Sequence, residues 1–413
     1  MNNKIFKRID DRYGGSLNLK EHKINVFVIG LRGYTQNYGG WEAFAHGLFN
    51  YWKDLDVHFY AFEKVGSLEE EGYYEVNGVT CIRVFEGTTN SSAMMKYDKK
   101  CTQFSVFFQK KYKVNNPIMF HLGVRIGPYV WLHRREIKKA GFKMIENPAG
   151  AEWRRTKWNK LVQVYLWISA IMMCRSTDCL VCDNEGIRDL YKKMIMCKKT
   201  KMEYIAYGVD LPTQDYSGFM NGIDEFYKKW NLSTFDYYLI VGRFIPENNY
   251  EMMIKGFMKS NTKRKLLIIC NYKTEIQRFY NHICKSTGFL NDKRIIMAGT
   301  LYDRKVLDYV RQNAQAYIHG HSVGGTNPGL LEAMSGTDIN LLYDVSFNRY
   351  VAADNALYFR NCEELTTLIN HVDTIDLQEK KQLGNKARSR MKEKFSWSFI
   401  TDEYSKLFHK LIK

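Results

Sequence analysis

Ile24-Asn-Val-Phe-Val-Ile-Gly30, and again Tyr237-Tyr-Leu-Ile-Val-Gly242, are short β-branched apolar runs that end at a glycine and open into helix-like sequence. Such a run encodes a buried parallel strand turning into a helix. Strand-like segments at 57–62, 117–121, 143–146, 179–182 and 202–206 follow the first, and 265–270, 294–298 and 316–319 follow the second, with helical stretches between most of them. The alternation predicts an α/β chain with two Rossmann-like, doubly wound domains facing across a cleft, where open parallel sheets bind their ligands. Residues 1–212 are the expected N-terminal domain, with 1–22 as an extension, and residues 213–396 the expected C-terminal one. In 397–413 the spacing of Trp397, Ile400, Tyr404, Leu407, Phe408 and Leu411 predicts a helix packed on one of the domains, crossing back to the N-terminal one.

The 413 residues are 45% hydrophobic and 25% charged, a composition that supports a real core. Nine cysteines, odd in number and mostly inside apolar runs, predict free thiols in a reducing compartment. Cys179-Leu-Val-Cys182 lies within a strand-like run without a second pair, so it reads as core rather than zinc or redox chemistry. The first 22 residues lack the apolar centre of a signal peptide, and the longest apolar run, 161–173, is too short to span a bilayer. A cytoplasmic location follows as the expectation. The net charge is +17, and residues 101–200 hold 19 Lys and Arg against 7 Asp and Glu, an excess of 12. Nucleic acid, an anionic membrane or a phosphate-bearing substrate would answer that charge.

His319-Gly-His321-Ser-Val-Gly-Gly325-Thr-Asn-Pro328-Gly-Leu-Leu-Glu332 follows a strand-like run and opens a helix-like one. Glycines admit a ligand close to backbone, Thr326 or Asn327 can cap, and Pro328 suits a first helical turn, so this is a candidate anion site. Glu332, a turn further in, can accept both hydroxyls of a ribose. Arg243, just past the second unit's first strand, can neutralise a diphosphate leaving group. Gly39-Gly40 ends another glycine-bearing loop, although neither GxGxxG nor GxxxxGK[ST] is present. Asp54-Leu-Asp56 has the spacing of a metal motif but falls where a surface turn is expected, and no metal site is assigned.

The combination Gly30-x-Arg32-Gly33…Tyr38-Gly39-Gly40-x-Glu42, Asn147-Pro-Ala-Gly150-Ala-Glu152-Trp153-x-Arg155-x-Lys157-Trp158, Tyr204-Ile-Ala-Tyr207-Gly208, Val241-Gly-Arg243-x-x-Pro246-Glu247-Asn248-Asn249 and Gly320-His-Ser-Val-Gly-Gly-Thr-Asn-Pro328…Glu332-Ala resembles the bacterial rhamnosyltransferase branch of retaining glycosyltransferase family 4 over about residues 24–410. The resemblance implies a GT-B fold, no cofactor or essential metal, and a nucleotide-sugar donor, dTDP-L-rhamnose. The implied acceptor is a lipid-diphosphate-linked sugar, glucose in β-1,4 linkage, in capsule or cell-wall polysaccharide synthesis. It places Gly39, Gly40, Arg243, Glu247, Asn248, Gly325, Thr326, Asn327, Pro328 and Glu332 at the donor, and Tyr38, Trp41, Glu152, Arg155 and Lys157 at the acceptor. Arg243, Glu332 and His121 are the implied catalytic residues. Two positions depart from the family pattern: Gly324 stands where an acidic residue is usual, and Asn248 where a lysine is usual. Leaving-group charge then falls to Arg243, to backbone N–H groups of Gly325 to Asn327, and to a basic residue such as Lys273.

Lysines interleaved with Met, Phe and Tyr over 94–113, and the basic stretch 131–139, suit a membrane interface, so an anionic membrane surface at the inner face of the cell membrane is an expected partner. Alternatives stay open: UDP-glucose or UDP-galactose as donor, or a nucleic-acid-binding protein that uses segment 101–200. No RNA or DNA module is recognisable, so nucleic acid is not the expected partner.

Overall fold

The computed structural model describes residues 4–17, 19, 21–34, 39–87, 92–155, 158–213, 215–272 and 277–413. Tyr38, Lys157 and Lys273 lie outside the described residues. The chain divides into two compact units, Met1–Gly208 with Trp397–Lys413, and Val209–Ser396.

In the first unit the strands are β1 (Ile24–Ile29), β2 (Val57–Val65), β3 (Gly72–Val76), β4 (Val79–Phe85), β5 (Pro117–Leu122), β6 (Lys143–Asn147), β7 (Cys179–Cys182) and β8 (Lys201–Tyr204). They form one sheet in the order β3-β4-β2-β1-β5-β6-β7-β8, parallel except that β3 runs against β4. Its helices are α1 (Lys4–Tyr13), α2 (Gly40–Asn50), α3 (Ala93–Tyr112), α4 (Gly127–Lys139), α5 (Lys160–Cys174) and α6 (Glu185–Lys193). All six residues of β1 are buried, as expected of a central parallel strand covered on both faces. Gly30 ends it at φ +115°, and a Cβ there would stand 2.5 Å from the Leu122 carbonyl, so only glycine lets the loop pass the end of β5.

The hairpin β3–β4 turns at Asn77-Gly78, both at positive φ, the residue pair that a two-residue hairpin favours. The extension is also part of this unit. Phe6 and Ile9 of α1 are buried, with Phe6 edge-on to Phe104, and Arg8 grips Glu71 through two 2.6 Å hydrogen bonds. On α3, Tyr97, Cys101, Phe104 and Phe108 belong to the core, so the apolar side of segment 94–113 faces protein.

The second unit holds β9 (Tyr237–Val241), β10 (Lys265–Ile269), β11 (Ile295–Gly299), β12 (Ala316–His319), β13 (Asn340–Tyr343) and β14 (Leu357–Phe359) in the order β11-β10-β9-β12-β13-β14, all parallel. Around it lie α7 (Met220–Trp230), α8 (Tyr250–Lys259), α9 (Gln277–Thr287), α10 (Arg304–Gln312), α11 (Pro328–Gly336), α12 (Ser346–Ala352), α13 (Cys362–Val372) and α14 (Leu377–Lys394). Apolar clusters cover the two faces of the sheet.

The final helix, α15 (Trp397–Ile412), belongs to the first unit. Its Trp397, Tyr404 and Phe408 pack on Phe44, Phe59 and Phe120. A Cβ on Gly47 or Gly208 would meet the Trp397 indole at 2.0 or 2.3 Å. Asp54 accepts hydrogen bonds from Ser405 and from His409 Nε2 (2.9 Å), while Asp56 pairs with Lys23. The Asp54-Leu-Asp56 segment thus fastens α15. All nine cysteines are free and seven are buried, Cys179 and Cys182 among them. No helix among the described residues is long and apolar enough to cross a membrane.

Candidate functional site

The second unit gathers most of the residues expected at a donor. Asn327 caps α11, its Oδ1 accepting from Gly329 N at 2.9 Å, and Pro328 occupies the first turn. The loop before it is tied to the loop after β9. Ser322 donates from both its backbone N (3.0 Å) and its hydroxyl (2.9 Å) to the Glu247 carbonyl. Asn249 Nδ2 donates to the Gly320 carbonyl at 2.7 Å, and a Cβ on Gly320 would lie 2.3 Å from the Asn248 carbonyl.

Asn248 is the joint. Its Nδ2 donates to the Arg243 carbonyl at 2.7 Å, which turns Oδ1 toward His321 Nδ1 at 2.6 Å. His321 therefore carries its proton on Nδ1 and offers Nε2 as an acceptor. Arg243 is exposed, and its guanidinium makes no hydrogen bond or ion pair among the described residues, while its carbonyl is held by Asn248. Gly324 sits at φ +141°, a conformation that an acidic side chain adopts only under strain, and a Cβ there would stand 3.2 Å from His321 Nε2. Both departures from the family pattern thus have a place in this loop pair.

Glu332, on α11, receives a hydrogen bond from Arg311 Nη2 on α10. Arg311 is only 3% exposed and also pairs with Asp308 at 3.2 Å. The bond fixes one carboxylate oxygen and leaves the other as an acceptor for a ligand hydroxyl. Arg311 was not evident in the sequence, because nothing in 304–312 distinguishes a buried arginine from the helix's other cations. His319, at the end of β12, is buried, and burial lowers its pKa to about 3.

In the first unit, Gly39 precedes α2 at φ +138°, and a Cβ there would strike Glu42 Oε2 at 2.1 Å. Glu42 is buried and accepts from Arg32 N at 2.9 Å, so an anion reaching Gly39-Gly40 meets a carboxylate that already holds one of the loop's N–H groups. Trp41 is half-buried and edge-on to Tyr207. Glu152 and Arg155 pair with each other at 2.9 Å. Asn147 shapes the turn before them, accepting from Ala149 N through its side chain (3.0 Å) and from Gly123 N through its carbonyl (2.8 Å).

His121 is 1% exposed on β5, and burial lowers its pKa to about 3, so it is neutral. Thr102 Oγ1 stands 3.4 Å from its Nε2, and His121 Nδ1 has no partner among the described residues. In register with it on β6 is Glu146, fully buried, with no partner among the described residues for either carboxylate oxygen. Burial pushes the Glu146 pKa well above the usual carboxylate range. Sequence reading missed Glu146, whose signal was a charged residue inside an otherwise apolar strand.

The fold and these loops define a GT-B protein: two parallel-sheet Rossmann-like units, the second with a capped helix start beside the end of its central strands. Residues 23–210 match the family model described as a domain of unknown function, DUF1972. No curated protein matches the chain. Among solved structures it is similar to sucrose-phosphate synthase from Thermosynechococcus elongatus, with TM-score 0.74 and 13% identity over 94% of this chain and 99% of that one. A glycosyltransferase from Rickettsia africae gives TM-score 0.68 and 14% identity over 96% and 100%. Anabaena HepE in complex with UDP gives 0.67 and 10% over 94% and 100%.

Proposed function

We propose that the protein is a retaining glycosyltransferase that moves L-rhamnose from dTDP-L-rhamnose to a lipid-diphosphate-linked sugar, glucose in β-1,4 linkage, for capsule or cell-wall polysaccharide, working at the inner face of the cell membrane. The observation that carries the reading is the second unit's loop pair, in which Asn248 and His321 hold the Arg243 loop against the glycine loop of a capped helix bearing Glu332. Neighbours of the same fold were solved with UDP and with UDP-2-fluoro glucose. Glu332 would take a ribose hydroxyl, and Arg243 with the N–H groups of Gly325 to Asn327 would take the diphosphate.

In the transfer, the acceptor oxygen bonds to the anomeric carbon on the face from which the diphosphate leaves. The carbon–oxygen bond to phosphate breaks, and the hydroxyl proton passes to the departing phosphate oxygen. The protein supplies orientation and fixed positive charge. Trp41, Glu152 and Arg155 would receive the acceptor, and neutral His121 on β5 would support the end of neighbouring β6, from which the 147–155 segment leaves.

A thermal-shift and hydrolysis screen against dTDP-L-rhamnose, UDP-glucose, UDP-galactose and GDP-mannose tests the donor, because a ligand of the folded state raises its stability. Selective stabilisation by dTDP-L-rhamnose, with dTDP released when the lipid-linked acceptor is added, is the expected result. Selectivity for a UDP sugar would keep the reaction class and overturn the rhamnose assignment.

A further inference from the structure

We infer that the first unit carries a lipid-docking face, formed by the outer surfaces of α4 and α5 and the turn Ile195–Cys197, which seats the protein on a bilayer with anionic headgroups. On α5, Leu161 (82% exposed), Val164, Trp167 and Ile168 are all exposed and fall within about 120° of one helix face at 3.6 residues per turn. The opposite side of the same helix, Leu166, Ala170 and Met173, is buried. An apolar face of this extent left open to water marks a contact surface.

The turn Ile195–Cys197 joins it. Thr200 donates to the Cys174 carbonyl at the end of α5 and, one residue past its tip, Cys197 is buried. Ile195 (80% exposed) and Met196 project, flanked in sequence by exposed Lys192, Lys193, Lys198 and Lys199. On α4, Leu132 (69% exposed) shares a face with exposed Arg135 and Lys139, three and seven residues on. Met173 of α5 and Val130 and Ile137 of α4 enter the same core cluster, so both helices cover one face of the sheet.

Charge selects the occupant. Lys160, Lys192, Lys193, Lys198 and Lys199 make no ion pair among the described residues; Lys160 stands next to Leu161, and the other four flank Ile195 and Met196. A second copy would bring the same cations against them, and nucleic acid would leave Leu161, Ile195 and Met196 unburied. A bilayer takes aliphatic side chains below its headgroups and the lysines at them. The inference deepens the proposed reaction, on which it rests for the reason a lipid-linked acceptor is met here: α5 begins immediately after the 147–158 segment.

The test is flotation of the full-length protein with vesicles of phosphatidylcholine alone or mixed with phosphatidylglycerol. Binding is expected only to the anionic vesicles, weakening with salt. The double variants Leu161→Glu with Trp167→Glu, and Ile195→Glu with Met196→Glu, should each bind about tenfold more weakly while keeping the wild-type circular dichroism. Equal binding by wild type and both variants would overturn the inference. So would absence of vesicle binding, whether with RNA retention or with a concentration-dependent dimer that Leu161→Glu dissociates. Turnover of a water-soluble acceptor should be unchanged in these variants. Loss of turnover in wild type with vesicle binding intact would strike the reaction and spare the surface.

Discussion

Single residues carry the sharpest tests. Arg243→Ala removes an exposed guanidinium that has no hydrogen-bond or ion-pair partner among the described residues, so transfer should fall roughly a hundredfold while the melting curve stays put. Glu332 needs a gentler change. Its alanine would leave buried Arg311 with Asp308 as its remaining partner and lower stability as well as activity. Glu332→Gln keeps an oxygen for Arg311, and steady-state kinetics should show the loss of transfer without that cost in stability. Glu146 gives a pH test. Its folded pKa is raised, so the folded state binds more protons than the unfolded one above the usual carboxylate pKa, and stability falls as pH rises through that window. Glu146→Gln removes the effect: its stability advantage over wild type, near zero at pH 4, should grow by about 1.4 kcal/mol per pH unit until the folded pKa is passed, as read by thermal melts from pH 4 to 9. Burial of a charged side chain is set by tertiary packing, so nothing local marked Arg311, and Glu146 was marked only by its place in an apolar strand. The positions of Arg243, Asn327, Pro328 and Glu332 were legible because they follow from local sequence at a strand end and a helix start.

Elements followed the same rule. β7 and β12 were readable to the residue, since an apolar β-branched run bounded by polar residues leaves one choice, and the other expected strands shifted only at their ends. β13 (Asn340–Tyr343) and β14 (Leu357–Phe359), by contrast, were not expected from the sequence. The hairpin β3–β4 also went unseen, although Asn77-Gly78 between Val76 and Val79 was a local signal for it. The membrane expectation moved between elements: the aromatic stripe of α3 proved to be core, and the exposed apolar face lies on α5. At this scale the docking of α15 makes a prediction. Gly47 on α2 has no room for a methyl group against the Trp397 indole, so Gly47→Ala should destabilise the first unit by about 1–3 kcal/mol despite alanine's better helix propensity, measured by chemical denaturation.

At the scale of the whole molecule, chain connectivity makes the two units unequal. The second is one continuous stretch, Val209–Ser396, with apolar clusters on both faces of its own sheet and the loop pair that holds Arg243, Asn248, Asn327 and Glu332. The first is split, because its core is completed only by α15 at the far end of the sequence. A chain that stops at Ser396 therefore exposes the surface of Phe44, Phe59 and Phe120 that Trp397, Tyr404 and Phe408 cover, and it loses the bonds of Ser405 and His409 to Asp54. Burial of large aromatics is worth several kcal/mol together, against a total stability of about 5–15 kcal/mol for a typical domain. Residues 209–396 expressed alone should then melt in a single cooperative transition and still be stabilised by the nucleotide sugar. Residues 1–396 should retain that transition and that ligand response while the first unit's transition moves to markedly lower temperature or is replaced by aggregation. Scanning calorimetry of the two truncations beside the full chain separates the outcomes, and an unchanged first-unit transition in 1–396 would show that α15 is dispensable to the core it covers.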